Sequence, residues 1–184
     1  DDILDGIGVQ TLRIEYLDND GNSQIEDVVL NGTTNVNTVA TNIRYVNDFY
    51  ALSVGTNTVA AGNIIIHQIG TPATIYNLIA VGGNKSLVPH RMVPKGKKLE
   101  LQGWHCSESQ GKRVSFRIRS TDMNGILIPG VFCFKDVVYM TQATSGDLKL
   151  NDIIPALSIV KVSGWPDLSG AEGSCSWYGE LTDE

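Results

Sequence analysis

Apolar and polar side chains alternate along most of this sequence with a period of two residues. The alternation is clear at Leu12, Ile14 and Tyr16, and it is most regular over residues 113–119. Successive side chains of an extended strand point to opposite faces, so this period is typical of a strand with one buried face. The pattern therefore predicts β-strands throughout the chain.

Turn-forming residues divide these segments into roughly ten to twelve short strands, a number typical of an all-β sandwich or barrel. The clearest turn covers residues 18–22, where Asp, Asn and Gly tolerate positive φ. We predict an all-β fold, specifically a jelly-roll-like antiparallel β-sandwich with an N-terminal β-hairpin or arm. The hairpin is expected over residues 1–34 and the sandwich over residues 35–184.

The net charge of −6 is unevenly distributed along the chain. Eight of the 14 basic residues lie within 91–119, where only Glu100 and Glu108 oppose them, whereas both ends are acidic. A basic middle with acidic ends favours contacts between copies or with a partner. The alternative is a solvated strand face without a partner.

Motifs for catalysis and metal binding are missing from the sequence. It has no G-x-S-x-G elbow, P-loop or G-x-G-x-x-G fingerprint, and its histidines lack metal-site spacing. Asp18, Asp20 and Asn22 resemble the start of a calcium loop. Ser23 and Val29, however, occupy the positions that need Gly and Glu. We therefore predict no enzyme activity, no cofactor and no metal.

The three cysteines, Cys106, Cys133 and Cys175, are too few and too widely spaced for a disulfide framework. Each falls in a predicted strand, where a free cysteine acts as a small apolar residue. A reducing compartment at synthesis fits this pattern best, and the sequence leaves one disulfide bridge open.

Several kinds of partner can be weighed from the sequence. Trp104, Trp165 and Trp177 suit a sugar-binding platform, but such rings more often fill a sandwich core or an interface. Nucleic acid is disfavoured because the chain is acidic and no aromatic residues interleave with the cations on the basic face. No apolar run approaches the roughly 20 residues of a membrane span. We therefore predict an acidic protein surface as the partner, with no nucleic acid and no membrane.

Several stretches carry a resemblance to a known family. They are residues 11–18, 29–34, 42–47, 53–55, 61–64, 93–98 and 154–156. They resemble structural proteins of tailed bacteriophages, notably marine and cyanobacterial ones. In that family a hairpin is followed by a jelly-roll sandwich, and no catalytic residues exist to carry over.

The resemblance implies a non-enzymatic virion protein, above all a capsid cement or decoration protein that stabilises the particle through protein–protein interfaces. It implies a place on the outer surface of the capsid or tail. The partners would be the major capsid protein or other virion subunits, together with copies of the chain itself, with a trimer favoured. Our candidate interface residues are Arg113, Arg117, Arg119 and Lys97.

Two other functions remain open. A head or tail appendage, such as a fibre or knob, would carry a module that binds host-surface carbohydrate through an exposed aromatic cleft. A depolymerase would need two convergent carboxylates, which cannot be recognised from the sequence.

Overall fold

A computed structural model describes residues 1–141 and 144–184 of the chain. Within these residues the regular secondary structure consists of antiparallel β-strands, without a helix. The all-β prediction is therefore confirmed. The chain divides into two compact units, unit one (Asp1–Val88) and unit two (Pro89–Glu184).

Unit one contains five strands in two sheets around one core. They are β1 (Val9–Asp18), β2 (Ser23–Val29), β3 (Ile43–Val54), β4 (Ile64–Gln68) and β5 (Thr71–Ile79). β1 lies between β2 and β3, while β4 pairs with β5. Both sheets bury side chains in the same core, including Ile14 of β1, Phe49 of β3 and Ile79 of β5.

The predicted hairpin forms between β1 and β2. Asp18 is buried at the turn, where its carboxylate accepts the backbone N–H groups of Asp20 (3.0 Å) and Asn22 (2.9 Å). These contacts, chiefly that from Asn22, lower the pKa of Asp18 although burial opposes them. Gly21 has a φ of 87°, which a residue without a Cβ adopts at no steric cost.

The division of the chain differs from the predicted boundary after residue 34. β1 pairs with β3 along its whole length, on the edge opposite β2. The hairpin is therefore part of the sheet of unit one, and the compact units meet in sequence at Val88 and Pro89. Alternation along β1 indicates which face is buried, but it does not reveal which distant strand lies beside it.

The described residues of unit two form nine strands. They are β6 (His90–Met92), β7 (Lys97–Glu108), β8 (Val114–Ser120), β9 (Asp122–Met123), β10 (Ile126–Leu127), β11 (Cys133–Met140), β12 (Thr144–Ile154), β13 (Ile159–Pro166) and β14 (Gly173–Asp183). One sheet has the order β11-β8-β13-β6, another has the order β12-β7-β14, and β9 and β10 form a small hairpin.

The four-stranded and three-stranded sheets of unit two share one hydrophobic core. Phe116 and Val162 enter it from the first sheet, and Leu101, Trp104 and Ile154 enter it from the second. This is the arrangement of an antiparallel sandwich. A full jelly roll has eight strands, and these two sheets have seven, so the finer jelly-roll topology stays a prediction.

Candidate functional site

The candidate site lies on the outer face of the four-stranded sheet and begins with β8. Val114, Phe116 and Ile118 are buried in the core, and Arg117 and Arg119 alternate with them. This is the orientation that the period-two pattern predicts. Both arginines are half-buried, so their guanidinium groups are held close to the sheet rather than free in solvent.

Aromatic rings from other parts of unit two surround these arginines. The Trp165 ring centroid lies 4.3 Å from the guanidinium carbon of Arg117 and 4.9 Å from that of Arg119. Phe134 lies 5.7 Å from Arg117, and Phe132 lies 5.7 Å from Arg119. All four distances are within the range of a cation–π interaction.

A lysine extends the same alternation of cations and rings. The Lys161 ammonium lies 3.9 Å from the centroid of Phe132, the ring that also contacts Arg119. We call the whole set the cation–aromatic cluster: Arg117, Arg119, Lys161, Phe132, Phe134 and Trp165. In this set every cation contacts at least one ring, and two of the three rings contact two cations.

The strand register explains why the cations are crowded. Arg119 is directly opposite Lys161 of β13 on one side and Phe134 of β11 on the other. Like charges in directly opposite positions destabilise a sheet. The crowding also affects Lys161, because burial and then the charge of Arg119 lower its pKa. The rings partly offset this repulsion, since their negative faces attract the cations.

A β-bulge in β11 brings Phe134 into the cluster. The pairing of β11 with β8 passes from Phe134 to Asp136 and skips Lys135. Phe134 therefore lies opposite the outward Arg119, while Asp136 lies opposite the inward Ile118. Asp136 accepts the indole N–H of the buried Trp104 at 3.1 Å. The bulge therefore lets Phe134 face the cluster and Asp136 face the buried Trp104, although only one residue separates them in sequence.

Carboxylates are not part of the cluster. In the described chain no ion pair within 4.0 Å involves Arg117, Arg119 or Lys161. Arg119 donates to the Ser163 hydroxyl at 2.9 Å, while its buried Nε atom has no hydrogen-bond partner among the described residues. The cluster therefore presents positive charge that the described part of the chain does not neutralise.

The four predicted interface residues divide into two pairs. Arg117 and Arg119 are brought together in the cluster. Arg113 lies beyond the end of β8 and pairs with Asp167 at 3.5 Å. Lys97 belongs to the three-stranded sheet and pairs with Asp183 at 2.5 Å. Only Arg117 and Arg119 belong to the cation–aromatic cluster. Arg113 and Lys97 each pair with a carboxylate, and Lys97 also lies in the other sheet.

The expectation that no aromatic residues interleave with the basic face is wrong. The rings come from β11, from β13 and from the segment before β11, none of which is adjacent to β8 in sequence. One signal for them was present. Lys161, Ser163 and Trp165 share one face of β13 by period-two spacing, opposite the buried Val160 and Val162.

The three tryptophans do not form a common platform. Trp104 is fully buried, and Trp177 packs against the same core from β14. Trp165 is 36% exposed on the outer face. The two inner rings take the core role that is commoner in sandwiches, and only Trp165 belongs to the candidate site.

The described residues lack a group of metal ligands, a membrane-spanning helix and a disulfide. Within residues 1–141 and 144–184, no three His, Cys, Asp or Glu side chains are grouped to hold a metal ion. That part of the chain also has no helix with the length and apolar character of a membrane span. The three cysteines are free thiols.

The chemical capability of the cluster is anion recognition. Guanidinium groups that lie over aromatic rings still carry N–H donors, and these donors suit carboxylate, phosphate or sulfate oxygens. Comparison with protein-family models, curated proteins and solved structures found no match to this chain. The geometry itself is therefore the basis for assigning a function.

Proposed function

We propose that this chain is a non-enzymatic virion structural protein of the capsid cement or decoration type, located on the outer surface of the particle. It would bind an acidic surface of a neighbouring virion subunit through the cation–aromatic cluster. The observation that carries this proposal is the group of three cations without a carboxylate partner in the described chain.

The energetics of the cluster favour a covered state. A cation–π contact contributes about 0.5–1 kcal/mol when exposed and about 2 kcal/mol or more when desolvated. A partner that excludes water would strengthen these contacts, and its carboxylates would relieve the repulsion between Arg119 and Lys161. Trp and Arg are also the residue types that most often dominate the binding energy of protein interfaces.

A homo-oligomer is part of the proposal, and a trimer is favoured because the family resemblance implies one. Each copy carries a net charge of −6, and unit one holds nine acidic residues against three basic ones. Unit two holds eleven of each. Acidic residues are therefore available on neighbouring copies of the chain.

The test is particle binding by a charge-reversed protein. We expect Arg117→Glu with Arg119→Glu to reduce occupancy on purified particles at least tenfold at physiological salt. The matched control is Lys97→Glu with Lys98→Glu, which changes the net charge equally on a different sheet. Equal occupancy of the wild-type and cluster variants would refute the proposal, and so would an equal loss in the control.

A second candidate is a head or tail appendage that binds acidic host-surface carbohydrate. The observation that favours it is the partly exposed ring of Trp165 beside two arginines, because sugar rings stack on aromatic faces while guanidinium groups bind carboxylate or sulfate. A glycan array distinguishes the two candidates. Binding to acidic glycans that disappears in Trp165→Ala would favour the appendage over the cement protein.

A further inference from the structure

Cys106 and Cys175 occupy directly opposite positions on neighbouring strands. Cys106 lies in β7 and Cys175 lies in the edge strand β14, and the antiparallel register pairs their Cα atoms. Directly opposite residues place their side chains on the same face of a sheet. Both cysteines accordingly belong to the core of unit two, with Cys106 fully buried and Cys175 half-buried.

The hydrogen-bond pattern defines which type of pair this is. The Ser109 N–H donates to the Glu172 carbonyl at 3.0 Å, and these two residues continue the same register by three positions. Hydrogen-bonded and non-hydrogen-bonded pairs alternate along an antiparallel ladder. No register shift intervenes between this bond and the cysteines. Cys106 and Cys175 are therefore a non-hydrogen-bonded pair.

That assignment places the two thiols within reach of each other. Cα atoms of a non-hydrogen-bonded pair are about 4.5 Å apart, and their side chains approach more closely than in the other type of pair. Disulfides span Cα separations of about 4.4–6.8 Å. Cys133, in contrast, lies on β11 in the other sheet, so the backbone favours one pairing among the three cysteines.

We propose that Cys106 and Cys175 are a modification site, at which a small-molecule disulfide such as oxidised glutathione forms a cross-strand disulfide. The bond would tie the edge strand β14 covalently to the central strand β7. The two thiols lie 69 positions apart in sequence, so the closed loop includes most of unit two.

The reaction is thiol–disulfide exchange in two steps. The Cys175 thiol loses a proton, and its thiolate attacks the small disulfide, forming a mixed disulfide and releasing one small thiolate. Cys106 then loses its proton and attacks the Cys175 sulfur, and the second small thiol leaves. Two protein thiols are oxidised, and one small disulfide is reduced to two thiols.

Burial decides which cysteine reacts first and how quickly. Burial raises the pKa of Cys106 to about 12 and also raises the pKa of the half-buried Cys175. The thiolate is the attacking species, so exchange should begin at the more accessible Cys175. The rate should rise with pH, because alkaline conditions increase the thiolate fraction.

The experiment uses the full chain incubated with oxidised glutathione at about pH 8.5, then alkylated and measured by intact mass. We expect a loss of two hydrogens, one alkylated cysteine instead of three, and a peptide that joins Cys106 to Cys175. The disulfide should raise the melting temperature of unit two by on the order of 10 °C, and a reducing phosphine should reverse this rise.

Two variants test whether the bridge joins Cys106 to Cys175. Cys133→Ser should form the bridge as the wild type does, whereas Cys175→Ser should retain the fold and form no intramolecular bridge. Three alkylated cysteines after prolonged oxidation would overturn the proposal. So would a bridge that includes Cys133, or a mixed disulfide at Cys175 that does not close onto Cys106.

Discussion

Two groups of cations in unit two differ in what surrounds them. Lys135, in the bulge of β11, lies 2.8 Å from a carboxylate oxygen of Asp122 and 2.9 Å from one of Asp152. The cations of the cation–aromatic cluster contact rings instead. A lysine enclosed by two carboxylates has its charge neutralised within the chain, whereas a cation on a ring keeps its charge for a further partner.

The pKa of Lys135 reflects this enclosure. Burial alone lowers the pKa of its ammonium, but hydrogen bonds and charge from Asp122 and Asp152 outweigh burial and raise it. Asp122 is fully buried and also accepts the Ser120 hydroxyl and the Gly125 N–H. This region is therefore a structural ion-pair network, and the cluster is the better candidate for binding.

The largest effect is expected when the enclosed cation is removed. Lys135→Met leaves the buried Asp122 carboxylate without its cation, which should destabilise unit two by about 3–5 kcal/mol. Urea unfolding followed by tryptophan fluorescence measures this, because all three tryptophans are in unit two. A second variant that adds Asp122→Asn should recover part of the loss. A loss below about 1 kcal/mol for the single variant would contradict the structural role.

A smaller effect on stability is expected when a ring is removed from the cluster. Trp165→Ala deletes the contacts to Arg117 and Arg119, which together should contribute about 1–2 kcal/mol at an exposed site. The free energy of particle binding should fall by more than the free energy of unfolding, because the arginines lose their fixed orientation. Trp165→Phe keeps a ring, so its stability and its particle binding should lie between those of the wild type and those of Trp165→Ala. Wild-type stability and binding in Trp165→Ala would contradict this interpretation of the cluster.

A surface ion pair outside the cluster should contribute still less to stability. The Lys97 side chain is partly exposed and the Asp183 side chain is largely exposed, and surface ion pairs contribute about 0–1 kcal/mol. Lys97→Met should therefore change the unfolding free energy by less than about 1 kcal/mol and leave particle binding unchanged. A clear loss of binding would instead indicate that the interface lies on the three-stranded sheet.

The smallest expected effect is a shallow pH dependence beside the cluster. Burial, and then the charge of Lys161, lower the pKa of His90 below its ordinary value of 6.5. Below about pH 6.5 the unfolded chain therefore binds the proton more readily, so stability should decline as the pH falls. His90→Gln should flatten this slope, and His67→Gln, in unit one, should not. An identical slope in wild type and His90→Gln would show that protonation of His90 is not responsible.

The sequence predicts those parts of the site that depend on one strand alone. Alternation along β8 correctly separates the buried Phe116 from the outward Arg117 and Arg119, because the side-chain period of a strand is fixed by its geometry. The rings could not be assigned in the same way. Trp165 reaches these arginines only through the pairing of β13 with β8, which is a contact between distant segments.

The enclosed lysine was missed for a different reason. Lys135 follows Phe134 in a segment whose sequence is typical of a regular strand, and no local pattern marks the bulge. Its partners Asp122 and Asp152 come from β9 and β12, so the network exists only after three separate segments fold together. The boundary after Val88 is non-local in the same sense, because it depends on β1 pairing with β3.

The bulge at Lys135 also determines which changes in chain length β11 can accept. Deleting Lys135 itself would remove the extra residue and leave Phe134 and Asp136 on the faces that they already occupy. Deleting one residue between the bulge and Tyr139 would instead invert the side chains that follow, turning the buried Met140 toward solvent and the exposed Tyr139 toward the core. Substitutions at Phe134 change a single contact, whereas this deletion exchanges two whole surfaces. In directed evolution of this chain, β11 should therefore tolerate point changes on its outer face and reject single-residue deletions after the bulge.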